Sequence, residues 1–188
     1  MKTAFIIFDR MTALDFIGVY DPLTRLRSMD LLADFEWDIC AFTKQAENDK
    51  GLQLTPQKVG GSLDGYDLIV LPGGFGTRTL QHDSAFIDWL RTAHQVPLKA
   101  SVCTGALLLG AAGFLSGKKA TTHRNAFDSL TPYCQQVVDR RIVDEGEVVT
   151  ARGVTSSIDL GLHLVRRFAG PQAASTIARQ MDYPFHEA

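Results

Sequence analysis

Along the chain, short apolar runs alternate with longer amphipathic stretches, the pattern of parallel strands joined by crossover helices. Strands are predicted over the mainly apolar runs 4–8, 37–42, 67–71 and 98–102, in a sheet expected to be covered on both faces. Helices are predicted over 13–29, with irregularity around Gly18 and Pro22, over 86–93, and over 106–112, where Gly113 supplies the C′ residue. Residues 136–139, 141–144 and 147–151 read as strands with a hairpin turn at Glu145-Gly146. Two helices, 156–168 and 173–181, follow, separated by the breaker pair Gly170-Pro171. The expected fold is therefore α/β, a mostly parallel sheet with helices on both faces. No internal repeat, linker or low-complexity stretch interrupts it.

Composition narrows the function. With 188 residues and 45% hydrophobic content, residues 1–188 are expected to form one domain with its own core. The net charge of −2 arises from mixed acids and bases without a basic stripe, which argues against a nucleic-acid partner. The first apolar run, Ala4-Phe5-Ile6-Ile7-Phe8, is too short for a signal peptide and is stopped by Asp9-Arg10. No run reaches membrane-spanning length, so no membrane partner and a cytoplasmic location are expected. Cys40, Cys103 and Cys134 are odd in number and lack metal-ligand spacing, so neither a disulfide framework nor a metal site is expected.

The chemistry concentrates in Ala100-Ser101-Val102-Cys103-Thr104-Gly105-Ala106. Small residues stand two positions either side of Cys103, directly after an apolar strand and before a helix, as in the elbow that presents a hydrolase nucleophile. That placement puts the sulfur at the carboxyl end of the sheet, facing a helix N-terminus whose amides and dipole favour a thiolate. The alternative reading is a small buried hydrophobe, the usual fate of a free cysteine. Cys40, inside Trp37-Asp38-Ile39-Cys40-Ala41-Phe42, fits that alternative, and Cys134 sits in a turn beside Pro132-Tyr133.

Leu71-Pro72-Gly73-Gly74, the elbow Val102-Cys103-Thr104-Gly105 and Thr121-Thr122-His123 together resemble the ThiJ/PfpI superfamily, over nearly the whole chain. The resemblance implies a flavodoxin-like, class I glutamine-amidotransferase-like sandwich. Within it, Cys-Thr-Gly followed by Leu107-Leu108-Leu109-Gly110-Ala111-Ala112-Gly113 is most similar to the isocyanide hydratases and to the sensor domains of AraC-type regulators. The protease-like and deglycase-like branches carry His after the cysteine and Glu in the first loop, where this chain has Thr104 and Asp15.

What the resemblance implies is a cofactor-free thiol enzyme acting on a small electrophilic molecule, with isocyanide hydration to an N-substituted formamide foremost. Cys103 would be the nucleophile and Asp15 its proton-handling partner; Asp15 read alone is equally a helix-cap or dipole residue. Thr104, and backbone amides of Gly74, Thr104 and Val154, would form an oxyanion-type pocket. A homodimer is implied by the resemblance alone. His123 is expected in a structural role, its ring bonded to backbone. Arg152 and Arg124 stand where relatives carry other residues, and Arg152 is either solvated or turned towards an anionic ligand. Phe16 and Phe75 are read as core. Glyoxalase, deglycase, amidase or peptidase activity is the second enzyme reading. A redox or ligand sensor is the third, although no helix-turn-helix segment follows before Ala188.

Overall fold

The computed structural model describes residues 1–184. In chain order its strands are β1 (Lys2–Ile6), β2 (Glu36–Ala41), β3 (Ala46–Glu47), β4 (Gln53–Leu54), β5 (Lys58–Val59), β6 (Leu68–Leu71), β7 (Leu98–Val102), β8 (Lys119–Ala120), β9 (Gln136–Val137), β10 (Ile142–Asp144) and β11 (Val148–Ala151). The helices are α1 (Ala13–Ser28), α2 (Thr77–Leu80), α3 (Ser84–Arg91), α4 (Gly105–Ala111), α5 (Phe127–Leu130) and α6 (Ser156–Gln180), joined by short 3₁₀ turns.

Seven strands form one sheet in the order β10-β11-β7-β6-β1-β2-β5, parallel throughout except for β10, which runs antiparallel to β11. Every residue of β6 and β7 is buried although neighbours along a strand point to opposite faces, so helices cover both sides, as expected. The first strand starts two residues before its predicted position. Ile7 and Phe8 lie beyond the ladder yet stay in the core, and the Ile7 N–H still donates to the Cys40 carbonyl at 2.9 Å.

The long helices follow the sequence pattern. In α1, Phe16, Val19, Leu23 and Leu26 form the buried stripe. Gly18 and Pro22 mark a contact with α6 and not a break: a Cβ at Gly18 would strike Ser157, and one at Gly161 would lie 2.8 Å from the Pro22 ring. The predicted division of α6 is present as a kink at Gly170, whose φ of +83° is non-helical. The turn between β10 and β11 also lies where predicted, with Gly146 at φ +82°. By contrast β9 leaves the main sheet and pairs with β8 in a separate two-residue ladder. The β3–β4 hairpin, β5, β8, α2 and α5 were not foreseen, because elements of two to four residues carry no periodicity.

The order of strands places the site. From β1 the chain runs outward to β2 and β5, whereas β6, β7 and β11 build outward on the other side. The crevice at this reversal opens at the carboxyl ends of the strands, where α/β sheets bind ligands. The turn before α1, the Gly73-Gly74 turn after β6 and Cys103 after β7 all emerge there.

Candidate active site

Cys103 is the first residue after β7 and has φ +55°, a left-handed conformation that a side-chain-bearing residue adopts only when its surroundings impose it. Two hydrogen bonds hold it: its N–H donates to Ala151 on β11 at 3.0 Å, and its carbonyl accepts the Thr122 hydroxyl at 2.7 Å. The middle residue of Thr121-Thr122-His123 therefore clamps the elbow. Gly105 is required by proximity, since a Cβ there would lie 2.5 Å from the Leu71 carbonyl oxygen.

Asp15, in the first turn of α1, is fully buried against the Cys103 thiol. Its Oδ2 accepts the Gly73 N–H at 2.9 Å, so the carboxyl serves this neighbouring turn instead of capping its own helix. Oδ1 has no well-formed hydrogen bond. Burial pushes Asp15 up to about 7, a rise only partly offset by the Gly73 amide and the thiol. Burial, and then the charge of Asp15, push the Cys103 thiol up to about 12. This reverses the expectation of a lowered thiol pKa: the helix N-terminus is present, but desolvation outweighs it. Between those two values the pair holds one proton and one negative charge, with the proton resting on the sulfur and the charge on Asp15.

Thr104 is 3% exposed and begins α4 without capping it. Its hydroxyl accepts the Gly74 N–H at 3.0 Å and lies 3.1 Å from the Gly74 carbonyl. The Gly74 amide, expected to face an oxyanion, is thus engaged by Thr104 in this state. The Thr104 amide points at the sulfur, and its hydroxyl, with one proton to give, lies within reach of the sulfur as well as of Gly74.

A cavity of about 210 Å³ opens over the sulfur, and Cys103, Thr104, Gly74 and Val154 all line it. His123 lines it too, while its Nδ1 accepts the Asn125 N–H at 3.2 Å, the backbone bond expected from sequence. Gly153 leaves room for this ring, since a Cβ there would lie 3.0 Å from His123 Cδ2. Sequence reasoning missed Thr12, Arg78 and Asn125 as wall residues and misplaced Phe75, which is 59% exposed at the cavity mouth; Phe16 is core, as read. Arg152 and Arg124 are drawn away to a shared partner, Asp139, at 2.6 and 3.2 Å. Cys40 is buried in β2, and Cys134 is half-buried. No group of His, Cys, Asp and Glu among the described residues could hold a metal ion. No helix among them is long and apolar enough to cross a membrane.

The profile of the DJ-1/PfpI family matches residues 1–167. The chain belongs to that family. It is 35% identical to isonitrile hydratase of Pseudomonas putida over 185 residues, 97% of this chain and 78% of the hydratase. It is 27% identical to the HTH-type transcriptional regulator CdhR of Pseudomonas aeruginosa, aligning over 94% of the chain but only 53% of the regulator. Among solved structures, a ThiJ/PfpI family protein from Pseudomonas syringae superposes with a TM-score of 0.87 at 26% identity, over 99% of this chain and 76% of that one. The family thus holds both a hydratase and regulators in which a domain like this one is a part.

Proposed function

We propose that this DJ-1/PfpI protein hydrates small isocyanides to N-substituted formamides, with Cys103 as nucleophile and Asp15 as proton carrier. The observation that carries the reading is the buried pair itself: a thiol whose charged neighbour is a carboxyl with its own pKa pushed up to about 7. Such a carboxyl can both accept and return a proton near neutral pH. The 35% identity to a hydratase along nearly the full chain supports the same reading.

The steps follow from the one-proton pair. The thiol proton moves to the Asp15 carboxylate as sulfur attacks the terminal isocyanide carbon. Asp15 then returns the proton to that carbon, giving a thioimidate, R–N=CH–S–Cys103. Water adds to the same carbon with Asp15 taking one of its protons and the nitrogen receiving one, to give R–NH–CH(OH)–S–Cys103. Collapse breaks the C–S bond, releases R–NH–CHO and restores the thiol. The Thr104 amide and hydroxyl stabilise negative charge on sulfur whenever it forms.

The test is direct. Purified protein given cyclohexyl isocyanide should form N-cyclohexylformamide in severalfold excess over enzyme. Rapid quenching should trap a mass increase equal to the isocyanide on the Cys103 peptide, absent in Cys103→Ala. A folded, reduced protein that yields neither adduct nor formamide with several isocyanides refutes the reading and moves the assignment to glyoxal or amide chemistry. Stepwise oxygen addition at Cys103 under mild peroxide without any hydration would favour a sensor.

A further inference from the structure

We propose that Arg78 makes this site selective for anionic substrates, small electrophiles that carry a carboxylate at the end remote from the carbon that reacts with Cys103. The proposal deepens the hydratase reading and takes its nucleophile from it. Arg78 lies on α2, immediately after the Gly73-Gly74 turn that contacts the Cys103–Asp15 pair, and its side chain lines the cavity over the sulfur. It is the one permanently charged residue in that wall, where no aspartate or glutamate is found. Among the described residues the guanidinium has no hydrogen-bonding or ionic partner; the backbone carbonyl of Arg78 is what Gln81 engages. The arginines singled out from sequence, Arg124 and Arg152, spend their charge on Asp139. Arg10 adds a second cation beside the mouth, its guanidinium 5.9 Å from the centroid of the Phe75 ring that forms part of the wall.

Size and charge then define the substrate. A cavity of about 210 Å³ holds roughly seven waters at about 30 Å³ each, which suits a short aliphatic chain. Cys103 lies at the floor with Asp15 buried behind it, and the negative charge that this pair carries above neutral pH repels anions, so a preference for them has to come from the rim. A guanidinium without a protein partner offers a carboxylate two parallel N–H donors, a geometry that neutral isosteres cannot match. A carboxylate-bearing isocyanide held there keeps its anionic end at Arg78 and sends its terminal carbon to the sulfur.

Two arms separate this proposal from the hydratase reading. In the first, Cys103 is alkylated at pH 8.5 and low ionic strength by iodoacetate and by iodoacetamide, and the rates, mapped to the Cys103 peptide, are normalised to a small uncharged thiol. The normalised iodoacetate-to-iodoacetamide ratio should exceed one, fall about tenfold in Arg78→Gln, fall further in Arg78→Glu, be largely kept in Arg78→Lys and shrink in high salt. In the second, kcat/KM is compared for isocyanoacetate and its methyl ester, and Arg78→Gln should raise KM for the carboxylate more than for the ester. An alkylation ratio unchanged by Arg78→Gln, or equal slowing of both reagents, overturns anion selection even if both isocyanides are hydrated. A collapsed ratio with no hydration of either isocyanide leaves anion selection standing and sinks the hydratase reading.

Discussion

Replacing Asp15 by Asn separates a carboxyl kept for chemistry from one kept for structure, because the two roles move stability in opposite directions. Asn preserves the shape and the acceptor for the Gly73 N–H but cannot ionise. In the wild type, burial raises the Asp15 pKa from an ordinary 3.8 to about 7, so the folded state binds this proton more tightly than the unfolded chain does. The stabilisation from that protonation is complete below about pH 4 and is lost as pH rises to about 7. At roughly 1.4 kcal/mol per tenfold change in proton affinity, the whole effect is about 4 kcal/mol, a large share of a typical stability of 5–15 kcal/mol. Urea unfolding of both proteins at several pH values measures it, since groups common to both cancel in the difference. Between pH 5 and pH 8 the stability of Asp15→Asn relative to wild type should rise by about 2–3 kcal/mol, while its turnover of an alkyl isocyanide falls by roughly 10²-fold or more. Parallel pH–stability curves would show that the Asp15 carboxyl is not held at a raised pKa. A variant that is active and merely less stable at every pH would make Asp15 a structural residue.

Other consequences follow from the same geometry. In wild type, kcat/KM for an alkyl isocyanide should climb about tenfold per pH unit up to about pH 7 and then level, because only the singly charged pair can move its proton from sulfur to carboxyl without a further change of charge. In Asp15→Asn the alkylation of Cys103 by iodoacetamide should begin at lower pH than in wild type, since the neighbouring charge that helps to raise the thiol pKa is gone. Thr104→Val removes the acceptor of the Gly74 N–H and should cost about 1–3 kcal/mol, seen as a Tm drop of several degrees that Thr104→Ser largely avoids. Gly73→Ala should cut turnover by more than tenfold, as its Cβ would lie 2.8 Å from Cys103 Cβ and 2.9 Å from Asp15 Oδ2 and force the pair apart.

Hydrophobic periodicity and turn residues carry local information, and whatever depends on them could be read directly. The strand over residues 98–102, the helix after Cys103, the hairpin at Gly146 and the kink at Gly170 all lie where the pattern puts them. The position of Cys103 between strand and helix belongs to the same class, because small neighbours and an abrupt change of period mark an elbow within a few residues. Asp15 could be named only through its resemblance to a family motif. Nothing near it in sequence reveals that its carboxyl reaches a turn 58 residues away.

Tertiary structure decided the ionisation and the walls of the site. A helix N-terminus can be seen in sequence, whereas desolvation depends on everything packed around a group, and desolvation turned an expected thiolate into a thiol pushed up to about 12. Arg78 and Phe75 sit in a stretch too short to show a period, and only the folding of that turn over Cys103 makes them cavity wall. Arg152, by contrast, stands next to a motif resembling the family's active-site turn but lies away from the cavity because Asp139 holds it. Sequence by itself determined which stretches are buried and where the backbone turns sharply, since steric limits and hydrophobic burial act on neighbours along the chain. Which buried charges face one another, and which cation is left without a partner, was decided by contacts between residues far apart in sequence, through energies set by distance and dielectric.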